Sequence, residues 1–352
     1  MLASFNMLSL DLMNIRKQIS SISFNIERLR NMSYQLDESE NNFSDEEVYV
    51  EKIKKTITFD DISSFYKCTN KNENDLNNKK REKIVYAMIE DNIPLHWYRD
   101  DRWKCMKRRL SKFIREEISD GLDYKLELKA SRTHNFDFLI KFSNDIEKKL
   151  EFKFNLTDIS DTPQFLSLST NSLSVNLGNK SYGEFFYDTC ISDIEKLYNT
   201  KAPCKEEYLK YLYQINPLKH DFFHIINNDK SNDKKEEKKR IVDESIHDFL
   251  RMYSNRLDIQ RLNNKLKNSQ EEKIFMLYCY KQEKFFKDMF KNEELTVTKI
   301  LTLKRNSNGL VNTIVLETGC KTTTIHMLLR WRNQAGILNP AWQIKLVRCK
   351  NE

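Results

Sequence analysis

Two neighbouring runs near the middle of the chain alternate between apolar and polar positions with a period of two. Phe136-Asp137-Phe138-Leu139-Ile140-Lys141-Phe142 reads as one strand, Ser143-Asn144-Asp145 as a polar turn, and Leu150-Glu151-Phe152-Lys153-Phe154 as a second strand. Successive strand side chains point to opposite faces, so Glu151 and Lys153 share one face while Leu150, Phe152 and Phe154 fill the other. Upstream the period changes. Trp103, Met106, Leu110, Phe113, Ile114 and Ile118 recur at helical spacing and define an apolar helix face. Earlier still, Phe5, Leu8, Leu12, Ile15, Ile19, Ile22, Ile26 and Leu29 are spaced alternately three and four apart. That heptad seam predicts a coiled-coil-like helix over 1–36, which either pairs two copies as a homodimer through residues 5–29 or docks as one amphipathic helix on its own domain.

The remaining patterning divides the chain. The acidic, polar stretch after Asp37 predicts a linker over 37–80, and 81–228 a core domain. Residues 229–240, with their mixed charges, read as an exposed break. Helices are expected over 241–267 and 270–291. Strands are expected over 296–303 and 311–317, joined by Arg305-Asn306-Ser307-Asn308-Gly309, with a helix over 321–333. Residues 241–352 thus form a separate helical and β region.

Composition adds bounds rather than detail. Hydrophobic residues make up 39% of 352 residues, with 21 Phe and 15 Tyr, enough for a sizeable core. Only 6 Gly and 5 Pro argue for much helix. The net charge of +7 is a mild bias toward polyanions. The seven cysteines are scattered with no CxxC, which argues against a zinc site or a disulfide framework and for a reducing compartment. No apolar run approaches the roughly 18 residues of a membrane span, and the N-terminus lacks the basic and apolar regions of a secretory signal. His220 and His224 stand four apart, but with no third ligand beside them they read as core or capping histidines.

The chemistry sits in the hairpin. Asp137, Glu151 and Lys153 lie on adjacent, otherwise apolar strands, where charges are costly unless paired or bound to a metal. Two carboxylates can hold a hard cation such as Mg2+, with Mn2+ as its substitute, and a lysine two residues on can orient or deprotonate an attacking water. Those are the parts needed to hydrolyse a phosphodiester.

Asp137…Glu151-Phe152-Lys153 resembles the D…(D/E)xK signature of the PD-(D/E)xK nucleases, the restriction-endonuclease-like superfamily, with Phe136 where a proline often stands. The resemblance implies an α/β fold with a mixed central sheet flanked by helices, in the order helix, three strands, helix, and later elements that complete the sheet. It implies a metal held by Asp137, Glu151 and the Phe152 carbonyl, with Lys153 positioning or activating the water. It also implies a helper acid on the preceding helix, Glu117 with Glu116 second, and a glutamine after the lysine strand, Gln164. Apart from the resemblance, His134, three residues before Asp137, is a candidate for contacting substrate phosphate. Longer stretches are similar to predicted nucleases of large DNA viruses: Glu151–Phe165, Tyr182–Asp188, Lys205–Leu209, and the run from Leu329-Arg330-Trp331-Arg332-Asn333 to Pro340-Ala341-Trp342-Gln343-Ile344. This likeness spans roughly 81–352. The implied activity is a Mg2+-dependent endodeoxyribonuclease leaving 5′-phosphate and 3′-hydroxyl ends. The implied location is the host cytoplasm or nucleus, or the virion, and otherwise intracellular.

Two regions are candidates for holding nucleic acid. No acid occurs between Arg102 and Arg115, and Arg108, Arg109 and Lys112 would line a cationic helix surface. No acid occurs from Thr318 to Asn351, where Arg330, Arg332, Trp331 and Trp342 combine charge with aromatics. DNA is the expected partner and RNA the alternative. The competing reading is a non-catalytic nucleic-acid-binding or virion protein that keeps the nuclease-like fold, with Asp137 and Glu151 structural.

Overall fold

A computed structural model of the chain describes residues 45–68, 71–129, 136–156, 158–159, 166–169, 177, 181–212, 220–270 and 272–349. The coiled-coil-like helix 1–36 with its dimer seam, His134 and Gln164 lie outside the described residues. The chain divides into two compact units, Met1–Gly121 and Leu122–Glu352.

In the first unit, β1 (Glu47–Val50) and β2 (Lys55–Thr58) pair as an antiparallel hairpin, with Val48 opposite Ile57. Helices α1 (Asp61–Tyr66), α2 (Lys71–Ile89) and α3 (Asp101–Phe113) follow. Within the stretch expected to be a linker, residues 45–68 hold β1, β2 and α1, and α2 begins at Lys71. The polar composition of that stretch conceals Val50, Ile57, Phe59, Ile62 and Phe65, which are all buried. Phe59 meets the edge of Trp97 at 5.5 Å, Trp97 lies 5.1 Å from Trp103, and the Trp103 indole N–H donates to the Phe59 carbonyl at 3.0 Å. Asp100 caps α3, accepting from the backbone N–H of Arg102 at 2.9 Å and of Trp103 at 3.3 Å.

The second unit holds two five-stranded sheets. The first takes the order β3-β4-β5-β7-β8 and is built from β3 (Tyr124–Leu128), β4 (Phe138–Phe142), β5 (Glu147–Phe154), β7 (Lys273–Cys279) and β8 (Lys284–Asp288). The first three strands are antiparallel neighbours, β7 runs parallel to β5, and β8 turns back along β7. A parallel neighbour needs a crossover. Here it runs through β6 (Leu166–Ser169) and helices α4 (Tyr182–Tyr198), α5 (Lys205–Leu212), α6 (Asp221–Asn228), α7 (Asn232–Tyr253) and α8 (Ile259–Gln270).

Three expected elements change identity. The mixed-charge break at 229–240 is largely the start of α7, where Ser231 caps the helix and Arg240 pairs with Glu237 and Glu244 one turn away on either side. The helix expected over 270–291 is the β7–β8 hairpin. All seven β7 residues are buried, and a strand covered on both faces has no alternation to distinguish it from a buried helix. The helix expected over 321–333 is β11 (Thr323–Asn333), in which Thr323, Ile325, Met327, Leu329 and Trp331 are all buried at a period of two. The expected hairpin is present as β9 (Val297–Arg305) and β10 (Val311–Thr318), turning at Gly309, which takes a positive φ of 78°.

The second sheet takes the order β6-β12-β11-β10-β9, all antiparallel, with β12 spanning Leu338–Arg348. One of its faces packs on α4 and α7. Trp331 lies 5.1 Å from Phe186 and 5.4 Å from Tyr182, and its indole N–H reaches the Tyr182 hydroxyl, which in turn meets the Ser245 hydroxyl at 2.6 Å. Phe275, Leu277 and Phe286 of the first sheet join this same core. Among the described residues no helix is long and apolar enough to cross a membrane.

Candidate active site

The registers of three strands place the hairpin charges together. Phe138 pairs with Leu150 across β4 and β5, so Asp137, one residue before β4, falls opposite Glu151 on the same sheet face. The Asp137 backbone N–H donates to the Leu150 carbonyl at 2.9 Å, and its carbonyl accepts from Lys129 at 2.7 Å, which extends both ladders through this residue. Its carboxylate turns back and accepts from the Phe152 N–H at 2.8 Å. The amide and carbonyl of one strand residue point to the same side, so the Phe152 carbonyl lies on the β4 side of β5, as its N–H does.

Glu151 is buried, and lysines grip both of its oxygens. Lys153 Nζ stands 2.5 Å from Oε1, and Lys273 Nζ pairs with Oε2. Lys153 is part-exposed, whereas the Lys273 side chain is wholly buried. Lys273 opens β7, and the parallel register puts it opposite Lys149, on the face that Glu151 and Lys153 share. On the outer side a ladder of ion pairs continues across the strands. Lys129 meets Glu127 at 2.8 Å, and Lys141 meets both Glu127 and Glu147 at 3.2 Å.

These charges perturb one another. Burial, and after it the Glu151 charge, push the Asp137 carboxyl up to about 6, against the opposing pull of Lys153, the Phe152 amide and Lys273. Burial lowers the Lys273 ammonium, and the Lys153 charge adds to that, while Glu151 holds it up. A further cation beside Asp137 would favour its charged form and so oppose the shift that burial and Glu151 produce.

The donor set fits a hard divalent cation. Asp137 and Glu151 share a sheet face and, with the Phe152 carbonyl, are oxygen donors of the kind such ions take, the rest of the shell being water and substrate oxygens. Because both Glu151 oxygens are engaged, a metal gains that carboxylate only by displacing a lysine. Among the described residues no three His, Cys, Asp or Glu side chains gather, so the acids number two at this site.

The other expected residues fare differently. Glu117 is exposed, as is Glu116. Helix α3 continues as a π-helical turn over Ile114–Ser119, and the wider turn buries Ile114, Ile118 and Ser119 while rotating both acids outward. A strict helical period could not anticipate that shift. On α3, Arg108 and Lys112 are exposed and Arg109 is half-buried, but the run is partly neutralised. Lys107 pairs with Asp91, Arg102 with Asp100, and Lys112 and Arg115 with Glu116. Trp331 and Trp342 are buried and form no exposed stacking surface; they face the helices, while Arg330 and Arg332 alternate to the opposite face. His220 caps α6, its Nδ1 accepting from the Phe222 N–H at 3.2 Å. All seven cysteines are unpaired.

The residue missed from the sequence is Lys273. Its signal was a lysine heading an otherwise apolar run, Ile274-Phe275-Met276-Leu277-Tyr278, where a buried charge demands a partner. Comparison with protein-family models, curated proteins and solved structures returns no match to this chain.

Proposed function

We propose that this protein is a metal-dependent endonuclease of the PD-(D/E)xK kind, cutting DNA to 5′-phosphate and 3′-hydroxyl ends. The observation that carries this reading is the pairing of Asp137 with Glu151 across registered strands, with Lys153 on Glu151 and the Phe152 amide on Asp137. The mixed sheet agrees with it. Three consecutive antiparallel strands are completed in parallel by β7 after a helical crossover, the element order expected of such a core.

In this reading Asp137, Glu151 and the Phe152 carbonyl hold Mg2+ or Mn2+. Bound there, the ion polarises the phosphate and makes water a better nucleophile. The Phe152 N–H fixes the Asp137 carboxylate, so the acid needs little reorganisation to receive the ion. Lys153, part-exposed, would orient the attacking water as an ammonium, or activate it only after its own proton had been lost to solvent. Lys273 stays buried and keeps Glu151 in register with Asp137.

One observation favours a second reading. A Glu151 clamped by two lysines is also how a non-catalytic, nucleic-acid-binding relative would neutralise the same buried acid. Metal titration separates the two readings. The nuclease binds Mn2+ in a manner that Glu151→Ala abolishes, whereas a structural ion pair binds none.

A further inference from the structure

The face of the second sheet that turns away from the helices carries an array of uncompensated cations. In one row across the strands, Thr302, Val315, His326 and Lys345 are register partners; in the next, Lys304 stands beside Thr313, Leu328 and Gln343. Arg330 and Arg332 extend the array along β11. Lys304 and Lys345 flank His326 closely enough that, after burial, they are the charges that lower its imidazole. Arg332 likewise adds to the effect of burial on Arg330. Among the described residues Lys304, Lys345, Arg330 and Arg332 have no carboxylate partner. Glu317, the acid on this face, is already held by Lys299 at 3.2 Å and by Thr298 at 3.1 Å. Mutual repulsion of this sort costs stability, and an anionic partner relieves it.

We infer that this face of β9–β12 is a binding surface for the phosphate backbone of double-stranded DNA. It rests on the nuclease reading only in taking DNA as the substrate. The chemistry favours a duplex. Single strands are held by stacking bases on aromatic rings, yet the positions of this face in β9–β12 carry no Phe, Tyr or Trp, and both tryptophans of the sheet point into the core. A flat array of lysine and arginine suits phosphates, and it reads no sequence.

The test is fluorescence anisotropy of a labelled duplex with the full chain in EDTA, over a series of salt concentrations. Wild type is compared with the double variant Lys304→Ala, Lys345→Ala. Lys304 is exposed and Lys345 half-buried, and circular dichroism verifies that the variant folds. Removing one lysine that neutralises a phosphate lowers the salt slope by about one, so the double variant loses about two. Its affinity near 0.1 M salt falls by on the order of tenfold or more, equally on two unrelated sequences. A folded variant with unchanged slope and affinity overturns the surface, as does wild type that prefers single-stranded DNA or RNA over the duplex. Plasmid cleavage by wild type, measured separately, keeps the two ideas apart. Cleavage with an unchanged double variant sinks the surface alone. No cleavage, with the binding loss as stated, sinks the nuclease alone.

Discussion

The two sheets of the second unit put their charges on opposite sides of the burial line. In the antiparallel β9–β12 sheet, alternation separates chemistry cleanly: Ile325, Met327, Leu329 and Trp331 fill the core, and His326, Arg330 and Arg332 face away from it. In the mixed sheet, Glu151 and Lys273 are buried, and Asp137 is held beside them at a raised pKa. The first arrangement is what folding alone favours. The second opposes folding, because desolvated charges repay their cost only with good geometry. The mixed sheet thus carries desolvated charges at the three strands where phosphodiester chemistry would need them, whereas the antiparallel sheet keeps its cations out of the core, and outside it their mutual repulsion costs less.

That contrast can be broken at several points. The largest effect on stability belongs to the antiparallel core. Trp331→Ala empties a site packed by Tyr182 and Phe186, and the expected loss is about 3–5 kcal/mol in a denaturant titration. A loss below about 1 kcal/mol would mean that the ring is not in this core. Next comes Lys273→Met, which leaves Glu151 with Lys153 as its remaining ion-pair partner and costs about 3 kcal/mol. Adding Glu151→Gln should recover much of that loss; a double variant as unstable as the sum of its parts would show that the two residues are not coupled.

Smaller and opposite in sign is Asp137→Asn. The acid's folded pKa of about 6 lies above its ordinary 3.8, so its charged form opposes folding. The full penalty applies above about pH 6 and fades as pH falls toward 3.8. The metal-free amide variant should therefore melt at higher temperature than wild type above pH 6, with the gap closing in acid. A gap that widens in acid would mean that the charged acid stabilises the fold instead. The smallest effect is expected on the open face, where Lys304→Ala alone should move stability by less than about 0.5 kcal/mol.

Legibility in the sequence followed alternation. The hairpin from Phe136 to Phe154 was readable because one face of each strand is apolar and the other polar, and the same reading put Asp137, Glu151 and Lys153 on neighbouring strands. β7 was not readable, because Ile274–Cys279 is apolar on both faces. With it went Lys273, whose partner lies in a parallel strand more than a hundred residues earlier. The basic, aromatic C-terminal stretch was half readable. Its composition shows charge and rings together, but a period of two over Ile325–Trp331 places the tryptophan inside and the arginines outside. Glu117 lies in a π turn and is exposed, although helical spacing puts it on the apolar face, because such a turn shifts helical register without an obvious mark in the sequence.

The most direct test of the nuclease reading is cleavage of supercoiled plasmid in Mg2+ or Mn2+ by wild type and by Lys153→Ala. Nicking or linearisation by wild type is expected to be lost in the variant, with both proteins still retarding DNA in a gel. Cleavage by the variant at the wild-type rate and equal metal, or none by either protein while both bind DNA, would contradict it.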